Sequence, residues 1–104
     1  MSTKDQINKQ LSENPVILYM KGTPDAPSCG FSQKAAECLK STGIKFAYIN
    51  ILESPFIMER LPEISNFPTF PQLFIKSEII GGSDIIEQML NSGDLLPMLK
   101  DAVA

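Results

Sequence analysis

The chain is organised around one stretch: the apolar run Val16-Ile17-Leu18-Tyr19-Met20, the loop Lys21-Gly22-Thr23-Pro24-Asp25-Ala26-Pro27, and then Ser28-Cys29-Gly30-Phe31-Ser32. Five consecutive apolar residues have the length of a strand that is buried on both faces. A helical pattern begins near Cys29 and runs to about Thr42. A cysteine at a helix start meets free N–H groups and a partial positive charge, which favour its thiolate. The stretch therefore predicts a strand, a stiff loop and a helix with a reactive thiol at its start.

Periodicity and turn residues predict the other elements. The sequence predicts helices over Thr3–Glu13 (with Thr3 as its cap), from Ser54-Pro55 to about Ile64, from Gly81-Gly82-Ser83-Asp84 through Leu90, and from Asp94 or Leu95 to Val103. It predicts strands over Phe46–Ile51, Gln72–Ile75 and Glu78–Gly81, the last two joined by a Lys76-Ser77 hairpin.

Strands that are joined through a helix should be parallel, and the strands of a hairpin antiparallel. The order of elements therefore predicts an α/β protein with a mixed four-stranded sheet flanked by helices, as in the thioredoxin fold. The chain has 104 residues and shows no repeat, low-complexity tract or linker. We expect one domain that spans residues 1–104.

Composition excludes several classes of function. The net charge of −3 argues against a nucleic-acid binder, which needs a basic face. No apolar run is long enough for a membrane helix, and the polar N-terminus has no signal-peptide core. We expect a cytoplasmic protein, or a mitochondrial matrix protein if the source is a eukaryote. The absence of histidine excludes an imidazole base, a Cys–His dyad and His-ligated zinc.

The two cysteines are predicted to have different roles. Cys29 and Cys38 are nine positions apart, which is roughly 13 Å along a helix. A disulfide needs Cα atoms within about 7 Å, so the two cannot pair without unwinding the helix. Cys38 falls on a predicted apolar face with Phe31 and Ala35 and is interpreted as a buried core residue.

Cys29 must therefore work with an external partner. In a Cys-x-x-Cys redox motif the second thiol resolves the mixed disulfide, but that position is Ser32 here. A serine cannot attack a disulfide, which argues against fast two-cysteine catalysis. The ordinary alternative, an incidental thiol, fits poorly with the constrained loop and with the edge of a parallel sheet, where α/β proteins bind ligands.

Four blocks of sequence resemble the monothiol glutaredoxins of the CGFS class. They are Tyr19-Met20-Lys21-Gly22-Thr23-Pro24, Pro27-Ser28-Cys29-Gly30-Phe31-Ser32, Pro68-Thr69-Phe70-Pro71-Gln72-Leu73-Phe74 and Gly81-Gly82-Ser83-Asp84. The resemblance covers nearly the whole chain, and the blocks keep the family's order and spacing.

The resemblance implies a glutathione groove beside Cys29. It implies that Lys21 pairs with a glutathione carboxylate, that Pro71 is cis so that the Phe70 backbone pairs with glutathione, and that Ser83 and Asp84 hold the γ-glutamyl end. A helix N-terminus suits a carboxylate, and the Asp84 side chain can accept from an ammonium. The ordinary alternatives are a solvated lysine, a trans proline and a plain helix cap.

The chain departs from the family pattern at three positions. Ser83 stands where the family commonly has a second cysteine. Met58 stands where it often has an arginine for the glutathione carboxylate, and Arg60, two residues later, points about 200° away on a helix. Phe67 stands where the family has tryptophan.

The implied function is a carrier of 2Fe–2S clusters. Such a cluster takes four ligands, usually thiolates, and one chain offers only Cys29. The resemblance and the ligand count together imply a homodimer bridged by one cluster, with one glutathione per protomer, that delivers the cluster to apo-proteins. The resemblance also allows pairing with a BolA-type protein. Two alternatives stay open: glutathione-dependent reduction of mixed disulfides, with at most weak enzyme activity, and a binding module without a cluster.

Overall fold

The computed structural model describes all residues, 1–104. Five α-helices form: α1 Thr3–Glu13, α2 Gly30–Ser41, α3 Pro55–Ser65, α4 Ser83–Ser92 and α5 Leu95–Val103. Six strands form: β1 Val16–Met20, β2 Gly22–Thr23, β3 Ala26–Pro27, β4 Ala47–Asn50, β5 Gln72–Ile75 and β6 Glu78–Gly81, with a 3-10 turn over Ile51–Glu53. None of the helices is long and apolar enough to cross a membrane.

Four strands make the main sheet, in the order β4-β1-β5-β6. β1 pairs parallel with β4 and antiparallel with β5, and β5 pairs antiparallel with β6. The predicted mixed sheet and thioredoxin fold are confirmed. The Lys76-Ser77 hairpin is confirmed as well, with positive φ at both residues, as a two-residue turn of this kind requires.

The central strand β1 explains the two-sided core. Leu18 and Met20 face a cluster built with α2, α4 and α5, whereas Ile17 and Tyr19 face a second cluster built with α1 and α3. All five residues of β1 are buried, as the continuous apolar run predicted. The C-terminal end of this rigid strand is the place from which the loop to Cys29 departs.

Helix α2 begins and ends close to its predicted bounds, but one of its predicted contacts is wrong. Phe31 was expected on the apolar face with Ala35 and Cys38, yet 63% of Phe31 is exposed. Because Phe31 lies in the first turn, beyond the edge of the sheet, it has no strand to pack on. It instead lines a groove at that edge.

Two local details differ from the expectation. The cap of α1 is Ser2 and not Thr3: the Ser2 hydroxyl accepts from the Asp5 N–H at 3.1 Å and the Ser2 N–H donates to the Asp5 carboxylate at 3.4 Å, which together make a capping box. The loop before Cys29 is a small two-stranded ladder of β2 and β3. Helix α3 passes through Pro62 and ends at Ser65, close to the predicted end, with Asn66 in the left-handed conformation as its C-cap.

Candidate functional site

Cys29 is the N-cap residue of α2. Its backbone is extended, and its Sγ accepts a hydrogen bond from the Ser32 N–H at 3.3 Å. The side chain is partly exposed. One of the free N–H groups at the start of α2 therefore donates to the Cys29 sulfur, as the strand-loop-helix pattern predicted.

The surroundings of Cys29 favour the thiolate. Partial burial opposes ionisation, but hydrogen bonds from the Ser32 hydroxyl and from the Ser32 and Phe31 N–H groups outweigh it, and the positive charge of Lys21 adds to them. The net effect lowers the pKa of the Cys29 thiol below its usual value. The sulfur is thus prepared for nucleophilic attack or metal ligation.

Ser32, in the position of a second redox cysteine, ties the loop to the helix. It is fully buried, and its Oγ accepts from the Lys21 N–H at 3.0 Å. The Lys21 carbonyl in turn accepts from the Ser28 N–H at 3.0 Å. Ser32 therefore holds the backbone of Lys21, the lysine whose positive charge acts on the Cys29 sulfur.

Gly22 lets the loop turn tightly at this point. Its φ is +87°, and an added Cβ would lie 2.7 Å from the Ser28 nitrogen and 2.8 Å from the Ser28 Oγ. Its N–H donates to the Asn50 Oδ1 at 2.9 Å, which joins the loop to β4. A side chain at position 22 would push the loop away from Cys29.

Cys38 lies in the core of the protein, as predicted. It is 8% exposed and packs in the cluster of Ala35 and Leu39. Burial raises the pKa of the Cys38 thiol, and the neighbouring carboxylates of Glu87 and Glu37 add to this effect. Both cysteines are free, so no disulfide joins them.

A groove of about 850 Å³ lies at the same edge of the sheet. It is lined by Lys21, Phe31, Met58, Pro62, Phe67, Pro68, Thr69, Phe70, Pro71, Gly82, Ser83, Asp84 and Ile85. All five residues predicted to surround Cys29 are among them. Cys29 itself is not a lining residue; it adjoins the groove through Lys21, whose charge acts on it, and through Phe31.

The lining of the groove carries two opposite charges, those of Lys21 and Asp84. Lys21 and Asp84 make no ion pair with any other side chain. Asp84 and the buried Ser83 form the first turn of α4, and no side chain caps the N–H groups there because the N-cap is Gly82. A ligand with a carboxylate and an ammonium group therefore meets a complementary surface.

One wall of the groove is the segment from Phe67 to Pro71. The Phe70–Pro71 peptide bond is cis, as the resemblance implied. Gly82 lies against this wall, where an added Cβ would come 3.3 Å from both the Phe67 ring and the Pro71 carbonyl. The α3–β5 connection and the start of α4 are thus in close contact.

Arg60 does not take the place of an arginine at position 58. Its guanidinium pairs with the Glu63 Oε2 at 2.8 Å on the exposed side of α3, outside the groove. Met58 lines the groove instead. Lys21 is therefore the single cationic side chain of the groove.

Sequence reasoning missed most of the apolar lining. Pro62 and Ile85 were assigned to helices only, Pro68 entered only as part of a block that resembles the family, and Gln72 was interpreted as an ordinary strand residue. The available signal for Gln72 was its place directly after Pro71, as the polar first residue of an otherwise apolar strand.

Comparison with known proteins shows the family to which the chain belongs. The family model described as Glutaredoxin matches residues 16–80, which is more than half of the chain. A probable monothiol glutaredoxin of Legionella pneumophila is 57% identical over 88 residues, 85% of this chain and 99% of the relative. Glutaredoxin 4 of Haemophilus influenzae is 49% identical over 104 residues, 100% of this chain and 97% of the relative.

Solved structures give the same result. The solution structure of reduced poplar apo GrxS14 superimposes with a TM-score of 0.84 at 41% identity and covers 98% of this chain and 94% of that one. The chain therefore belongs to the glutaredoxin family. Its motif Cys29-Gly30-Phe31-Ser32, together with the names of its relatives, identifies the chain as a monothiol glutaredoxin of the CGFS class.

Proposed function

We propose that this chain carries 2Fe–2S clusters as a glutathione-dependent homodimer and passes them to apo-proteins. Each protomer contributes Cys29 and one bound glutathione to a shared cluster. The observation that carries the proposal is the supply of sulfur: the chain has one accessible thiol of lowered pKa and a second that is buried. We further propose that residues 1–104 act as one domain, in the cytoplasm of a bacterium like those of its relatives.

The donor set of one chain is too small for a cluster. No three Cys, His, Asp or Glu side chains come together at a place that could hold a metal ion. A 2Fe–2S cluster needs four ligands, usually thiolates. Cys29 fits as one of them, because its sulfur is partly exposed and already stabilised as an anion. The remaining three must come from glutathione and from a second protomer.

The groove supplies the means to hold glutathione next to Cys29. Glutathione carries two carboxylates and one ammonium group along an extended backbone. Lys21 would pair with one carboxylate, the N–H groups at Ser83 and Asp84 with the other, and the Asp84 carboxylate with the ammonium. The Phe70 backbone would pair with the peptide groups between them. This arrangement would bring the glutathione thiol close to the Cys29 sulfur, because Lys21 and Phe31, which adjoin Cys29, also line the groove.

Exchangeable ligands suit delivery better than storage. Glutathione leaves by breaking hydrogen bonds and ion pairs only, so half of the cluster's ligands can be replaced by thiolates of a recipient. A BolA-type protein is a proposed partner in place of the second protomer. A protein built for electron transfer would be expected to own all four ligands.

The test is anaerobic reconstitution with iron, sulfide and glutathione, followed by visible absorbance and size-exclusion chromatography. We expect a coloured dimer, and a colourless monomer when glutathione is omitted or when Cys29→Ser is used. The matched control Cys38→Ala should retain the cluster, because Cys38 lies in the core. A parent chain that stays colourless under these conditions would overturn the carrier function.

The lowered pKa of Cys29 also favours a second function, reduction of protein–glutathione mixed disulfides. The Cys29 thiolate would attack the glutathione sulfur, forming a disulfide with it and releasing the substrate protein as a thiolate. A second glutathione thiolate would then attack the glutathione sulfur of that disulfide, regenerating the Cys29 thiolate and forming oxidised glutathione. Fast turnover together with no cluster would make this the main activity.

A further inference from the structure

Gln72 is a fully buried polar residue at the start of β5. Its Nε2 donates two hydrogen bonds, to the Phe67 carbonyl at 2.8 Å and to the Thr69 carbonyl at 3.1 Å. Its Oε1 is buried without any hydrogen-bond partner. The Gln72 side chain therefore holds the Phe67–Thr69 segment, which belongs to one wall of the groove. These two hydrogen bonds are called the clasp below.

The orientation of the Gln72 amide follows from its surroundings. The two carbonyls can only accept, and only the nitrogen of the amide can donate. Rotating the amide would place its oxygen against both carbonyls and leave three acceptors together. The orphaned oxygen is the cost of this arrangement, since a buried acceptor loses its hydrogen bonds to water. An apolar side chain at this position would avoid that cost.

The contacts of Gln72 decide which backbone groups of the wall are left for a ligand. The carbonyls of Phe67 and Thr69 are bound to Gln72 and so are drawn towards the sheet. Between them and β5 lies Phe70, whose N–H and carbonyl make no hydrogen bond within the protein. Phe70 lines the groove. The clasp thus leaves one residue with both backbone groups unpaired beside the groove.

We propose that Gln72 is a positioning residue for glutathione binding: it holds the Phe67–Thr69 backbone so that the Phe70 N–H and carbonyl face the ligand. This rests on the proposed glutathione site. Gln72 acts through the backbone and does not touch the ligand, so it is distinct from Lys21, Ser83 and Asp84. Its contribution is to affinity and not to the reactivity of the Cys29 thiol, which depends on α2 and on the β1–α2 loop.

The test compares Gln72→Met with Phe74→Leu. Methionine keeps the length of the side chain but cannot donate. Phe74 lies two residues further along β5, on the same face of the sheet, is only 3% exposed, and has no polar side-chain atom that could hold the loop by a hydrogen bond. For each reduced variant we would measure the glutathione dissociation constant by NMR titration, the rate of Cys29 alkylation by iodoacetamide, and the urea midpoint.

We expect Gln72→Met to weaken glutathione binding about tenfold, the scale of one or two lost backbone contacts, with an unchanged alkylation rate. Phe74→Leu should lower the urea midpoint at least as much and leave binding unchanged. The proposal is overturned if Gln72→Met binds like the parent, or if both variants lose affinity in proportion to stability. A parent chain that binds no glutathione overturns the proposed function itself.

A second measurement needs no variant and covers the case in which Gln72→Met does not fold. In the parent chain the side-chain NH₂ protons of Gln72 should exchange with solvent far more slowly than those of the exposed Gln6, and the Phe70 amide resonance should shift on glutathione addition. Exchange as fast as that of Gln6 would contradict the clasp.

Discussion

The two ends of α2 carry the same side chain in opposite chemical states. Cys29 caps the N-terminal end, partly exposed, with N–H groups and the charge of Lys21 around its sulfur. Cys38 lies in the last turns, buried, with Glu87 and Glu37 as its nearest acids. The pKa of the first thiol is lowered and that of the second is raised. Position on the helix, together with the burial and the charged neighbours at each end, therefore lowers the pKa of one thiol and raises that of the other.

The two ends of α2 also differ in whether groups that could bind a ligand surround the cysteine. The groove beside Cys29 offers one cation, one carboxylate and the uncapped start of α4. Cys38 instead packs in the core and lines no part of the groove. The groups that could bind a ligand therefore lie beside the N-terminal end of α2, where Cys29 is, and not beside Cys38.

The largest expected effect comes from removing each thiol in turn. Cys29→Ser should lower the rate of iodoacetamide labelling at neutral pH on the order of a hundredfold, because alkylation follows the thiolate fraction and access. Cys38→Ala should leave the rate unchanged. In a pH series, the Cys29 profile should have its midpoint below the range of an ordinary thiol, because its folded pKa is lowered. Rapid labelling that persists in Cys29→Ser would show that Cys29 is not the reactive thiol, which would contradict the comparison.

A smaller effect is expected from Lys21→Gln. This change removes the one cation of the groove, so glutathione affinity should fall about fivefold, the scale of one partly exposed ion pair. The Cys29 labelling profile should also move to higher pH, because the charge of Lys21 stabilises the thiolate. Lys45→Gln is the matched control, an exposed lysine that precedes β4 at the opposite edge of the sheet. Equal losses in the two variants would point to net charge and not to the groove.

The smallest effect is expected at Met58, which lines the groove from α3. Met58→Arg adds a second cation to the groove and should tighten glutathione binding about threefold. Arg60→Ala should leave binding unchanged, since Arg60 pairs with Glu63 outside the groove. Isothermal titration of the reduced proteins would measure both. Weaker binding by Arg60→Ala would show that this side chain reaches the ligand after all.

Much of the fold could be predicted from the sequence because its signals are local. The five-residue apolar run predicted a strand that is buried on both faces, and Ser54-Pro55 marked the start of α3, both in agreement with the structure. Phe31 was misplaced because helical periodicity says which residues share a face but not where the sheet beneath them ends. The β2–β3 ladder was missed because two-residue strands have no periodicity.

The site was predictable only as far as chemistry is visible in single residues. A cysteine at a helix start is recognisable, and so is a glycine pair before a helix. The exclusion of Arg60 from the groove agrees with helix geometry, since a shift of two positions turns a side chain by about 200°. The clasp by Gln72, in contrast, depends on the path of a loop between two elements, a property of packing that one sequence does not encode in a readable form.

The central claim is that Cys29 supplies one of the four ligands of a 2Fe–2S cluster, and that glutathione and a second protomer supply the other three. Native mass spectrometry of the reconstituted protein tests it most directly, because it counts every component of the complex. We predict a mass of two chains, one 2Fe–2S cluster and two glutathiones, with no cluster on the monomer. A cluster held by a single chain, or a dimer that keeps its cluster with no glutathione bound, would contradict the account.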